Sequence, residues 1–218
     1  MFYGTKHRIE NFSAAFSNAG FIGIPLVQAT LGSEMVFYIA CYVAFLNIFQ
    51  WIYGAYIMSG DKKNISIHNI LTNAVLISFC LSFLLYMLEL NNIPYVKNVA
   101  QSIAAINSPL AMIIIGVYLT EVSIKNIFCK RKIYVCSVIR LVIIPFITLL
   151  IFKLVPIGTT SIKLALLIVL SAPVGSNVAM FAQKFKQSYT YAVEIVMLST
   201  ILSIVIMPLF ILVAQTIL

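Results

Sequence analysis

Long apolar runs separated by short polar segments fill this chain from about residue 11 to its last residue. Seven such stretches can be drawn, at approximately 11–31, 35–58, 67–90, 98–120, 133–155, 161–183 and 189–217. Each holds the roughly 20 apolar residues that a helix needs to cross the hydrocarbon core of a bilayer. None shows the alternating polarity over about 10 residues that marks a barrel strand. The pattern predicts an all-α integral membrane protein with about seven transmembrane helices and short loops.

Composition agrees and excludes the soluble classes. Apolar residues make up 62% of the 218 residues and charged ones 9%, against roughly 45–50% and about 25% in globular proteins. A soluble domain of this size would still expose about a quarter to a third of its unfolded surface, which this chain has too few polar groups to cover. The formal net charge is +8. The basic residues sit between the apolar runs rather than in one stripe, which argues against a nucleic-acid partner and for the positive-inside bias of membrane loops.

Alternate loops then give an orientation. Lys6, Arg8, Lys62, Lys63, Lys125, Lys130, Arg131, Lys132, Lys184 and Lys186 share one side; Lys97, Lys153 and Lys163 lie on the other. Ten against three predicts a multi-pass protein of the plasma membrane with a cytoplasmic N-terminus and an outer C-terminus. Cys41, Cys80, Cys129 and Cys136 form no C-x-x-C pair and no histidine cluster accompanies them. No metal site, cofactor or disulfide framework is therefore expected. There is no G-x-S-x-G, H-E-x-x-H or P-loop sequence, and Asp61, the sole aspartate, falls in a loop; no enzyme is expected.

Two of the runs break the rule that backbone in lipid must satisfy its own polar groups. Span one carries Ser17, Asn18, Gly20, Gly23 and Pro25 close together; span six carries Ser171, Pro173, Gly175, Ser176 and Asn177. Proline removes an amide donor, glycine lets the chain unwind, and Asn or Ser can bond the freed groups or a ligand. Each feature alone fits helix packing equally well. By the charge asymmetry the two spans run in opposite directions, and each precedes another apolar span. Broken helices in corresponding, oppositely directed positions point to an inverted-repeat transporter with its site near the midplane. An offset of about 156 residues superposes Ser17 on Pro173 and Asn18 on Val174.

NAGFIGIPL (18–26), NSPLAMIIIGVYL (107–119), SVIRLVIIPF (137–146) and SAPVGSNVAMFAQKF (171–185) together resemble the auxin efflux carrier family. That family includes plant PIN proteins and bacterial permeases linked to malate and similar organic anions. The resemblance implies two inverted five-helix repeats whose fourth and ninth helices are broken and cross at the substrate site. Span one would match the fourth helix and span six the ninth. Three N-terminal spans of the family pattern have no counterpart, so the chain looks like a truncated member. Plant relatives carry a proline where Ser17 stands. The implied organisation is the last two helices of the first repeat over 1–60, a short cytoplasmic linker at 61–66 and a complete second repeat over 67–218.

On this reading Ser17, Asn18, Gly20, Pro25, Pro173, Gly175, Ser176 and Asn177 are the expected substrate-binding residues. Half-helix N-termini aimed at an anion would hold a carboxylate without a full positive charge. Arg140, inside span five, and Glu194, inside the last span, are candidates for charge attraction or ion coupling. Pairing or snorkelling toward the cytoplasmic side is the simpler reading of Arg140, and an interfacial position or pairing with Arg140 the simpler reading of Glu194. Asn107, Ser108 and Pro109 would add polar lining. The expected function is secondary transport of a small organic anion by alternating access. The partners are that anion, the lipid bilayer, a coupling proton or sodium ion, and a second copy in a homodimer. The rival readings are a relative of the bile-acid–sodium symporters and a membrane scaffold subunit without transport.

Overall fold

The computed structural model describes residues 7–61, 68, 71–89, 93–122, 127–128, 130–155 and 158–218. Lys6, Lys62, Lys63, Lys125, Cys129 and, apart from Asp61, the expected linker at 61–66 lie outside the described residues. The described residues form helices joined by short connections: α1 Arg8–Ala15, α2 Ile24–Leu31, α3 Met35–Phe49, α4 Ala55–Ser59, α5 Ala74–Met87, α6 Pro94–Ala105 and α7 Asn107–Glu121. The second part of the chain adds α8 Arg131–Val138, α9 Ile144–Leu154, α10 Thr160–Leu170, α11 Asn177–Lys184 and α12 Tyr189–Ile217. The chain is an all-α membrane protein.

Among the described residues, four continuous helical stretches are long and apolar enough to cross a membrane: Met35–Ser59, Pro94–Thr120, Arg131–Leu154 and Tyr189–Ile217. The last has 29 residues, a rise of about 44 Å at 1.5 Å per residue. Span one is split into α1 and α2, and span six into α10 and α11. Both breaks fall among the polar, Gly and Pro residues that interrupt the apolar pattern. Pro25 is the exception. It lies six residues past Ala19, where the second half of span one begins as a π-helical turn that runs on into α2, so the break lies before it, at Phe16–Asn18. Span three also differs from its expected limits of 67–90. Its helix begins only at Ala74, because the Asn73 side chain accepts bonds from the Val75 and Leu76 amides and caps it there.

Two apolar clusters lie on either side of the breaks. One packs α1 and α4 against α8, α11 and the first half of α12, around Phe12, Ile133, Phe181 and Ile195. The other packs α2 and α3 against α9, α10 and the second half of α12, around Val27, Ile39, Leu167 and Met207. In lipid such clusters hold through close packing rather than through a drive out of water. The pair of breaks lies between the clusters, and the unbroken helix α12 runs through both. Arg8 fastens the lower edge of the first cluster, donating from Nη1 to the carbonyls of Met58 (3.2 Å) and Ser59 (2.8 Å) at the end of α4. Helices α5 and α6 bury none of their described side chains against the rest of the chain.

Candidate functional site

The two breaks cross. Ser17 and Val174 form an antiparallel bridge, flanked by Asn18 N–H donating to Pro173 O (2.7 Å) and Gly175 N–H donating to Phe16 O (3.0 Å). Each unwound segment thus satisfies the other's backbone, which is how non-helical chain is tolerated at membrane depth. Gly175 is required by this closeness: a Cβ there would sit 3.0 Å from the Ser17 carbonyl oxygen. The Val174 amide is taken by Ser199 Oγ of α12 at 3.2 Å, so the crossing is also tied to the long helix.

Four half-helix ends meet at this level. α1 and α10 bring their C-termini; α2 and α11 bring their N-termini. Arg140 lies at the C-terminal pair. It is 2% exposed, and its guanidinium donates to Leu170 O (2.7 Å), Ala172 O (3.2 Å), Ala14 O (3.3 Å) and Ala15 O (3.4 Å). One side chain therefore bonds carbonyls from both unwound helix ends. Arg140 sits in a wide π-helical turn, Ile139–Ile143. Similar turns occur at Ala19–Gly23 and Gln50–Gly54, beside the crossing. Such turns recur at functional sites because they re-aim side chains that a regular helix would not.

The N-terminal pair opens on a cavity of about 280 Å³, a size for a small organic molecule rather than a bare ion. Its walls include Ser17, Asn18, Gly20, Phe21, Asn47, Gln50, Trp51, Asn73, Gly175, Ser176 and Asn177. Asn177 Nδ2 donates to Gln50 Oε1 at 2.7 Å, which fixes the amide orientation of both. Asn107 Nδ2 donates to Gly20 O at 3.3 Å and supports the wide turn from α7. Asn18 is 4% exposed, yet its Nδ2, like Ser17 Oγ, has no hydrogen-bond partner among the described residues. A buried amide donor left without a partner costs about 1–3 kcal/mol. Asn18 itself lines the cavity, beside the helical segments that start at Ala19 and Asn177.

Of the residues expected at the site, Ser17, Asn18, Gly20, Gly175, Ser176 and Asn177 line the cavity. Pro173 stands behind it, holding Asn18 through its carbonyl, and Pro25 lies a turn further along α2. Arg140 is on the carbonyl side of the crossing. Glu194, 2% exposed, pairs with Lys130 and not with Arg140. Ser108's side chain lies outside what is described. Gln50, Asn47, Asn73 and Trp51 are cavity residues that the broken-span pattern does not reveal, since each is a single polar or aromatic residue in or beside an unbroken run.

An aromatic stack runs from the cavity wall at Trp51 into the first apolar cluster. Trp51 meets Phe181 with ring centroids 5.0 Å apart, Phe181 meets Phe12 at 5.0 Å, and Phe12 meets Phe16 at 4.7 Å. Lys184 Nζ lies 4.3 Å from the Trp51 ring centroid, a cation–π contact. At the start of α1, Glu10 accepts from Tyr191 OH at 3.2 Å, and His7 Nδ1 is 3.2 Å from the same Glu10 oxygen. Among the described residues no group of His, Cys, Asp or Glu is arranged to hold a metal ion.

No curated protein and no solved structure matches the chain. The model of one family, described as membrane transport protein, matches residues 66–211, a span that contains Arg140, both halves of the second broken helix and Glu194. With the crossed helices already in view, that match covers most of the chain, and the protein is a member of this membrane transport family, that of the auxin efflux carriers.

Proposed function

We propose that the chain binds a small organic anion in the crossover cavity and carries it by alternating access of two inverted helix repeats. The observation that supports this most is the unpartnered Nδ2 of Asn18, buried beside the N-termini of α2 and α11. A carboxylate oxygen there would satisfy that donor and meet the positive ends of two helix dipoles at once. The reciprocal bonds of the crossing, Asn18 to Pro173 and Gly175 to Phe16, have the near two-fold character that inverted repeats produce. The aromatic stack of Trp51, Phe181, Phe12 and Phe16 acts as the closed gate on one side.

The basic asymmetry places the gate, Arg8, Lys130 and Lys184 toward the cytoplasm. The state described is then one closed inward. Trp51 is the single tryptophan of the chain, so its fluorescence reports on the cavity directly. The test is titration of the protein in nanodiscs with acetate, benzoate, succinate and malate, each paired with its neutral amide. At least one carboxylate should shift Trp51 emission saturably while its amide does not. Equal responses to acid and amide, or none to any of them, would remove the anion reading.

A further inference from the structure

Helix ends carry about half an elementary charge each, positive at the N-terminus and negative at the C-terminus. Two of each meet at the crossing, so left to themselves the four ends would nearly cancel and the cavity would have no sign. Arg140 changes that sum. Its single positive charge is bonded to carbonyls from both C-terminal ends, Ala14 and Ala15 in the last turn of α1, and Leu170 and Ala172 at and just after the end of α10. Roughly one negative unit is thereby matched by one positive unit.

No carboxylate competes for the guanidinium. Among the described residues the ion pairs are His7 with Glu10 and Lys130 with Glu194, and neither includes Arg140. Nor is Arg140 reaching for a head group, because it is 2% exposed with donors spent on carbonyls. What remains uncompensated is the N-terminal pair, and among the described residues no acidic side chain lines the cavity it faces.

We propose that Arg140 is a positioning residue that gives the crossover cavity its sign: by neutralising the C-terminal ends of α1 and α10 it leaves the N-termini of α2 and α11 as the field an anion meets. The same four bonds clamp the two unwound ends together, so the clamp and the field have one cause. The inference rests on the anion reading of the cavity only for its biological use; the field itself can be read without a substrate.

The test uses Trp51, which lines the cavity, with iodide, caesium and acrylamide as negative, positive and neutral quenchers. Lys184, close to the Trp51 ring, is first replaced by Gln in every sample to remove its own charge. In that background iodide should quench Trp51 better than caesium. Arg140→Gln should lower the iodide-to-caesium ratio about threefold or more; the two ions respond in opposite senses, so a change of about half a kT suffices, well inside the several kT that charges set up in a cleft. Acrylamide quenching should stay level, which a general loosening of structure would not allow. Arg140→Lys, which keeps the charge but not the fork, should restore most of the ratio. An unchanged ratio in folded Arg140→Gln protein would overturn the proposal, as would a loss in Arg140→Lys as large as in Arg140→Gln.

Where Arg140→Gln does not fold, Arg140→Lys decides. A lysine keeps the charge but bonds fewer of the four carbonyls, so its iodide-to-caesium ratio should stay above one and within about twofold of the parent's. A ratio that falls to one or below would overturn the proposal. A parent that binds no carboxylate yet shows the Arg140-dependent ratio would remove the proposed substrate and keep the role of Arg140.

Discussion

The amide of Asn18 donates to the carbonyl of Pro173 at 2.7 Å, joining two residues 155 positions apart at the level where both broken helices lose their regular turns. Proline at 173 has no amide of its own to offer, but its carbonyl is free because the helix before it has ended at Leu170. The break in one helix thus supplies the acceptor that the break in the other requires.

Close approach of the two backbones makes Gly175 the least replaceable glycine of the crossing. Gly175→Ala sets a methyl 3.0 Å from the Ser17 carbonyl oxygen, against backbone that cannot rotate away. The expected cost is about 1–3 kcal/mol, seen as a lower thermal midpoint in detergent. Gly116→Ala is the control, since nothing lies within 4 Å of a Cβ there and the helical position should gain slightly. Equal midpoints for the two variants would mean that the segments are not held this close.

Asn18 tests the cavity from the opposite direction. Its Nδ2 makes no bond within the protein among the described residues, so Asn18→Ala should leave stability nearly unchanged. A hydrogen bond to a charged ligand is worth about 1.5–3 kcal/mol, so carboxylate binding should weaken about 10–150-fold. Asn18→Asp, which adds a negative charge beside the helix N-termini, should abolish it. Ser82→Ala, on the exposed face of α5, should alter neither quantity. Retained binding in Asn18→Ala with lowered stability would assign Asn18 to packing instead.

The crossing was legible in the sequence because it violates a rule. Ser17, Asn18, Pro173 and Gly175 stand in runs that lipid would otherwise keep apolar, and unsatisfied backbone at that depth must find partners. Pro25 belongs to the same cluster in sequence but not in space, because the chain has resumed its helix at Ala19 and stays helical through it. Gln50 was not legible. One glutamine in an otherwise apolar helix carries no periodic signal, and its partner Asn177 is 127 residues away. Arg140 stood out as a charge inside a span, whereas its partners could not, since every residue has a carbonyl and only the fold shows which interrupted helix ends bring theirs to one side chain. Pairing of Glu194 with Lys130 was hidden for a similar reason: the basic cluster at 130–132 reads as a loop until α12 is packed beside it.

Orientation is tested through Cys129, which the sequence places next to the basic run Lys130–Lys132. With Cys41, Cys80 and Cys136 replaced by Ala, a membrane-impermeant thiol reagent should label Cys129 only after the membrane is permeabilised. In the parent, Cys136 should stay unlabelled throughout, because it is fully buried with Sγ 3.7 Å from the Glu10 carbonyl oxygen. Labelling of Cys129 in intact cells would invert the topology and put the aromatic gate on the outer side.

Lys130 and Glu194 are unequal partners, and the inequality is measurable. Glu194 is 2% exposed by its side chain while Lys130 is 44% exposed, so water can receive the lysine but not the carboxylate. Lys130→Met leaves a buried negative charge with its counter-ion removed, and breaking a buried pair in this way typically costs about 3–5 kcal/mol. Glu194→Gln leaves the ammonium able to turn outward and should cost well under half as much, about 1 kcal/mol, near the level of one lost hydrogen bond. The double variant should therefore be more stable than Lys130→Met alone, because the second change removes the orphaned charge. Chemical denaturation in detergent gives all four stabilities of the cycle. Equal losses for the two single variants would mean that Glu194 finds another cation or is not ionised, and the pair would then contribute nothing to joining α8 and α12.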